Sequence, residues 1–251
     1  MTTIAHITDL HIADPRHDVT LDDGHRLVDA ILADDIDVVV DTGDVVGGGL
    51  FDEYQQALEV TIRLAESDVD YLVGPGNHDL SYPQGSGPTD NMRDNWEWYH
   101  AQVGSHFRAY EAWPHAVTYD DCIIVMLDTC ASGTALARGV VGDAQINTLH
   151  TIVADADRPV ILAGHHCPSA DARGLDWSLA LTDRDEIGEA LEQAGGVDGW
   201  LTGHLHQTCE WSGVFGAEYL LASDMSTAAG GYRRLWWDGG LRWEWRSVRC
   251  N

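Results

Sequence analysis

Short, uninterrupted apolar runs recur along the chain, and each ends abruptly in a polar knot. Thr3 to Ile7, Ile36 to Val40, Tyr71 to Val73, Pro159 to Ala163 and Val197 to Leu201 read as strands. Most of them are continuous rather than alternating, as expected of strands buried on both faces. Stretches of helical period lie between them. Leu27, Val28, Ile31 and Leu32 share one face of a helix predicted over about 25–34, with Asp22 or Asp23 as its cap. Tyr54, Leu58, Ile62 and Ala65 mark a second over about 52–66. Further helices are predicted from Asp143 to about Ala154 and from Asp183 to Ala194, the latter stopped by Gly195-Gly196. Val117 to Tyr119 and Cys122 to Leu127 pair as a hairpin around Asp120-Asp121. The carboxyl-terminal stretch reads as strands over 217–222, 232–237 and 241–248. Strand, loop and helix in alternation predict a layered α/β fold built as a single domain.

Residues 80–115 break the rhythm. A Gly/Pro/Ser-rich stretch from Ser81 to Pro88 precedes a helical segment from Asp90 to Val103 that carries Trp96, Trp98 and Tyr99. This part reads as an insertion or cap. Its aromatics suit both packing on the core edge and a substrate wall beside His78.

Composition narrows the class. The chain has 251 residues and a net charge of -27; every basic residue is Arg, and Lys is absent. Self-repulsion on this scale destabilises a compact state at low salt, whereas molar salt screens charge to within about 3 Å. Halophilic origin is the expectation. Such acidity argues against a nucleic-acid partner, whose surface should be basic. No apolar run is long enough to span a membrane, and no leader sequence is expected. Cys122, Cys130, Cys167, Cys209 and Cys250 show no metal-binding spacing, which suits free thiols in a reducing cytoplasm.

The polar knots carry the chemistry. The strand ends hold Asp9 with His11, Asp44, Asn77 with His78, His165, and His204 with His206. Open α/β sheets gather ligands at the carboxyl ends of their strands, so one fold can bring all of these together. Imidazole, carboxylate and amide oxygen suit Mn, Fe, Zn, Ni or Co better than Ca. Asp-x-His and His-x-His place alternate side chains on one side of an extended segment, so each pair can aim at a shared site. The donors exceed the needs of one ion, which points to two ions sharing a bridge. The remaining histidines, His6, His17, His25, His100, His106, His115 and His150, read as structural or solvated.

In their order, the motifs DLH, GD, GNHD, GHH and GHLH resemble the calcineurin-like metallophosphoesterase family, over most of the chain. The closer likeness is to its single-domain, cyclic-nucleotide phosphodiesterase-like branch. Leu127-Asp128-Thr129, Gly142 and Gln145 also look like that branch, whereas His165-His166-Cys167-Pro168 departs from its usual HHPP. The resemblance implies a two-sheet β-sandwich flanked by helices. It implies Asp9, His11 and His206 as ligands of a first metal, Asn77, His165 and His204 of a second, and Asp44 as the bridge. It implies His78 as the catalytic histidine that contacts phosphate and assists the leaving group, with Asp79 orienting it. His166 then reads as a wall of the substrate site. The implied reaction is hydrolysis of a small-molecule phosphoester by hydroxide formed between the metals. A nuclease and a metal-binding scaffold without activity are the rivals. The oligomeric state stays open, with a homodimer as one option.

Overall fold

The computed structural model describes residues 1–14, 16, 17, 19–80, 92–103, 113–130, 137–169, 179, 181–223 and 230–248. Its order is β1 (Thr3–Ile7), α1 (Leu21–Ala33), β2 (Val38–Asp41), α2 (Phe51–Ala65), β3 (Asp70–Val73), α3 (Asn77–Leu80) and α4 (Met92–Val103). The chain continues through β4 (His115–Thr118), β5 (Ile123–Met126), α5 (Asp143–Ala154), β6 (Val160–Ala163), α6 (Arg184–Ala194) and β7 (Val197–Thr202). It ends with β8 (Cys209–Val214), β9 (Ala217–Ala222), β10 (Gly231–Trp237) and β11 (Leu241–Ser247).

These strands form two sheets, ordered β11-β10-β1-β2-β3 and β4-β5-β6-β7-β9-β8. Strands β1, β2 and β3 run parallel, as do β5, β6, β7 and β9, while β4, β8, β10 and β11 are antiparallel to their neighbours. Alternation along each strand divides its side chains between two layers. Ile4, Val38, Val40 and Leu72 of the first sheet meet Ile124, Met126, Ile161, Ala163 and Leu201 of the second in the layer between the sheets. The opposite faces are covered by helices. Ala5, Val39, Tyr71 and Val73 pack on α1, α2 and α4. Val125, Leu162 and Trp200 pack on α5 and α6. The result is the expected two-sheet sandwich flanked by helices.

Local chemistry moves some predicted boundaries. Helix α1 starts four residues early, because Thr20 and Asp23 close a capping box: Asp23 N donates to Thr20 Oγ1 at 3.2 Å and Thr20 N to Asp23 Oδ2 at 2.9 Å. Strand β8 and the one-turn helix α3 are additions to the expected order. Of the 80–115 insertion, α4 and the stretch from Trp113 onward are described, and the rest lies outside the described residues. Cys122, Cys130, Cys167 and Cys209 are free thiols, and Cys250 lies outside the described residues. Among the described residues no helix is long and apolar enough to cross a membrane.

Candidate metal centre

The carboxyl ends of β1, β2, β3, β6 and β7 converge on one buried cluster. Past the end of β1, pairing with the β2 loop continues: Asp9 N donates to Gly43 O and His11 N to Asp44 O, both at 2.9 Å. The β2 and β3 loops touch so closely that a Cβ on Gly76 would lie 2.2 Å from Asp44 Oδ1. The β7 loop is tied across the sandwich, since His204 N donates to both Asp9 oxygens at 3.1 and 3.0 Å.

The backbone reaches this arrangement by a route the alternation argument did not foresee. Asp9, His11, Asp44, His204 and His206 all have positive φ, between 45° and 69°. Their segments are therefore left-handed kinks, not extended strands with alternating side chains. Asp and His tolerate that region better than most residues, and backbone strain of this kind concentrates at functional sites.

Overlapping groups of donors result; besides His11 with His17 and His206, and His11 with Asp14 and His78, two match the expected ligands. Ligand atoms of Asp9, His11, Asp44 and His206 lie within 4.8 Å of one another, and so do those of Asp44, His165 and His204. In the first group, His206 Nε2 is 3.2 Å from Asp9 Oδ1 and 3.0 Å from His11 Nε2. In the second, His165 Nε2 is 3.1 Å from Asn77 Oδ1 and 3.2 Å from His204 Nδ1. Asp44 Oδ2 stands between the groups, 3.8 Å from His11 Nε2 and 3.1 Å from His165 Nε2.

Electrostatics prepare the donors. Burial lowers His11 and His204 to about 3, so both stand as neutral imidazoles with a lone pair to offer. Burial by itself would raise Asp9, but the His206 hydrogen bond and the His165 charge outweigh it and bring Asp9 down to about 2. Asp44 is likewise held well below the usual carboxylate range, the His165 charge outweighing burial. His165 Nδ1 donates to Thr42 O at 3.0 Å, which fixes the tautomer and leaves Nε2 toward Asp44 and Asn77. Imidazole nitrogens facing one another at 3.0 and 3.2 Å need a proton or a cation between them. This donor set fits a pair of borderline transition-metal ions.

The residues around the donors divide differently from expectation. His78 is half-buried beside the first group, its ring edge-on to His11 at 4.7 Å, and its backbone N–H donates to Asp44 Oδ1 at 2.7 Å. Asp79 does not orient it. The Asp79 carboxylate accepts backbone N–H groups from Asp44 and Gly76 at 2.8 Å and from Val46 at 3.1 Å, and so holds the loops in place. The partner of His78 Nδ1 is instead the Gly47 carbonyl at 2.9 Å. The cause is α3: neighbours in one helical turn project about 100° apart, so Asn77, His78 and Asp79 face three ways.

Trp96 and Tyr99 are not brought to the site. Both are buried in the core between α2 and α4, Tyr99 stacked on Tyr54 and Trp96 edge-on to it, and Tyr99 shares hydroxyl hydrogen bonds with Thr61 and Tyr71. Trp98 packs on Phe51 at the rim of the same core. His166 is buried, bonded through Nδ1 to Thr129 Oγ1 at 2.8 Å, with its ring 4.6 Å from that of His204. It backs the second group rather than lining an open wall. Asp128 and Gln145, soft marks of the branch, pair through backbone and side chain at 3.2 and 2.8 Å. His6 is a fully buried core histidine held by Thr42 and Ser223.

Two residues went unforeseen. His17 stacks flat on His11, centroids 4.0 Å apart, and meets His206 edge-on. Arg16 lies beside His78. Ala13 precedes them with a left-handed φ of 67°, and no periodicity marks such a residue.

The model of the calcineurin-like phosphoesterase family matches residues 2–208. Among solved structures, a dimetal phosphatase from Danio rerio is 14% identical, with 99% of this chain and 96% of that chain covered at a TM-score of 0.72. A purple acid phosphatase from yellow lupin seeds is 15% identical, covering 98% of this chain and 51% of that one at a TM-score of 0.64. An anchor of the inner membrane complex of Plasmodium is 10% identical, covering 99% and 85% at a TM-score of 0.63. At these identities the likeness is one of fold, and the fold alone does not separate enzyme from anchor. No curated protein matches.

Proposed function

The chain belongs to the calcineurin-like phosphoesterase family, and from that premise we propose that it hydrolyses phosphodiester or phosphomonoester bonds of small molecules, cyclic nucleotides among them, at a binuclear metal centre. One observation carries the reading: Asp44 Oδ2 stands between two groups of donors drawn from the ends of separate strands. Asp9, His11 and His206 would hold one ion, Asn77, His165 and His204 the other, and Asp44 would bridge. When bound, two such ions supply Lewis-acid stabilisation of phosphoryl oxygens and acidify water.

The chain's own residues do the rest. Asp79 locks the loops that carry Asp44 and Gly76 through backbone N–H groups. Thr42 O holds the ring of His165. A carbonyl can only accept, so the 2.9 Å contact with Gly47 O makes His78 Nδ1 the donor. Nε2 is then the atom left to face the substrate, and when the ring carries a proton on both nitrogens its Nε2–H would contact the phosphoryl group or pass that proton to the leaving oxygen. A scaffold without activity would not need this arrangement beside a complete set of donors. Solubility in a salt-rich cytoplasm is the setting the acidic composition suits.

A panel of mono-, di- and cyclic phosphoesters, run with Mn, Ni, Co and Zn, tests the reading. Metal-dependent turnover of at least one class is expected. Two bound ions with no turnover on any substrate would favour the scaffold instead.

A further inference from the structure

The turn after β1 carries a guanidinium that neither the core nor the donor groups account for. Arg16 folds back on Asp14, donating from Nε to Oδ1 and Oδ2 at 2.9 and 3.1 Å and from Nη2 to Oδ2 at 2.6 Å. The same Nη2 donates to Gly47 O at 2.9 Å. That carbonyl also accepts from His78 Nδ1 at 2.9 Å, and Nη2 and Nδ1 stand 3.4 Å apart. Two donors thus converge on one oxygen and use both its lone pairs. The carbonyl sits in a close-fitted place: a Cβ on Gly47 would lie 2.3 Å from the Cβ of Asp14, which is itself buried.

We propose that Arg16 is a positioning residue for His78, acting through the shared Gly47 carbonyl. Anchored on Asp14, the guanidinium fixes Gly47 O where it receives the Nδ1 proton, and so holds the imidazole in one tautomer and one orientation. The sequence around Gly47 makes such a clamp necessary. Gly47, Gly48 and Gly49 have little intrinsic stiffness, and the other hydrogen bonds of the run, Gly48 N to Glu53 at 2.9 Å and Asn95 Nδ2 to Gly49 O at 3.0 Å, leave the Gly47 carbonyl itself to Arg16 and His78. A direct grip on substrate phosphate suits Arg16 less well. Its Nε and Nη2 are committed to Asp14 and Gly47, and the Asp14 carboxylate offsets its charge. The inference rests on the reading of His78 as the residue that serves the leaving group.

A double-mutant cycle on the metal-loaded full chain tests it, with Arg16→Gln, His78→Ala and the pair, on 4-nitrophenyl and alkyl phosphoesters. His78→Ala is expected to lower kcat for the alkyl ester by about 10²–10⁴ with metal content kept. Arg16→Gln is expected to lower it on the order of tenfold with KM unchanged, and to add nothing once His78 is gone, as residues acting as one unit do. Additive losses, or a rise in KM that persists in the His78→Ala background, would make Arg16 a substrate contact and overturn the proposal alone. A His78→Ala enzyme with unchanged kcat would sink the role of His78 and this inference with it. Should Arg16→Gln not fold, Arg16→Met, which keeps the apolar stem but has no donor for Gly47, carries the same cycle. Coupling to His78 then supports the proposal and additivity overturns it.

Discussion

Asp44 Oδ2 and His165 Nε2 lie 3.1 Å apart, and neither side chain is exposed to solvent. Burial alone would lower the imidazole, yet the Asp44 charge and hydrogen bond outweigh it and raise His165 to about 9. The pair therefore holds a proton at neutral pH at the place where the second ion would bind.

Metal binding should release that proton. The sign follows from the raised value: below about pH 9 His165 is protonated in the metal-free protein, so a cation must displace the proton. Affinity for the second ion should rise with pH up to that point. Calorimetric titration with Mn or Zn at pH 7, in buffers of different ionisation enthalpy, should show net proton release. His165→Gln should abolish that release along with the second ion. Binding with no proton exchange would mean that the pair is not protonated.

The aromatic helix α4 should behave as core. Trp96 is 3% exposed and packs among Tyr54, Tyr99 and His100. Trp96→Ala should cost about 3–5 kcal/mol of stability, the usual range for emptying such a site. KM and metal content should stay near those of the parent. A variant of parental stability with a raised KM would return this residue to the substrate wall.

The sequence was most legible where one physical rule dominates. The Val, Ile and Leu runs of β2 and β6 must be buried on both faces, so their positions and the polar knots at their ends follow directly. Strand β8 was hidden because Cys209–Val214 lies at a sheet edge with only Cys209 buried, and Gly213 interrupts its short alternation. Asp79 was misread because adjacency to His78 in sequence suggests a pair, while neighbours on the one-turn helix α3 point about 100° apart. His17 and Arg16 follow a loop with left-handed residues at Asp9, His11 and Ala13, a backbone path that no periodicity in the sequence marks. The aromatics of α4 belong to a helical face, but which surface that face meets depends on α2, far away in sequence.

Salt should stabilise the fold. With a net charge of -27 and no Lys, self-repulsion is large at low ionic strength. Melts between about 0.1 and 3 M KCl should move upward as screening tightens. A flat or falling profile would remove halophilic adaptation as the reason for the acidity.

Metal stoichiometry tests the central claim most directly. The proposed centre places Asp44 between Asp9, His11 and His206 on one side and Asn77, His165 and His204 on the other. Elemental analysis of protein purified without chelators, and again after reconstitution with excess Mn or Zn and desalting, should approach two equivalents per chain. Asp44→Ala, which removes a donor common to both groups, should lose more metal than any other single ligand change. One equivalent that persists after reconstitution would contradict the binuclear centre.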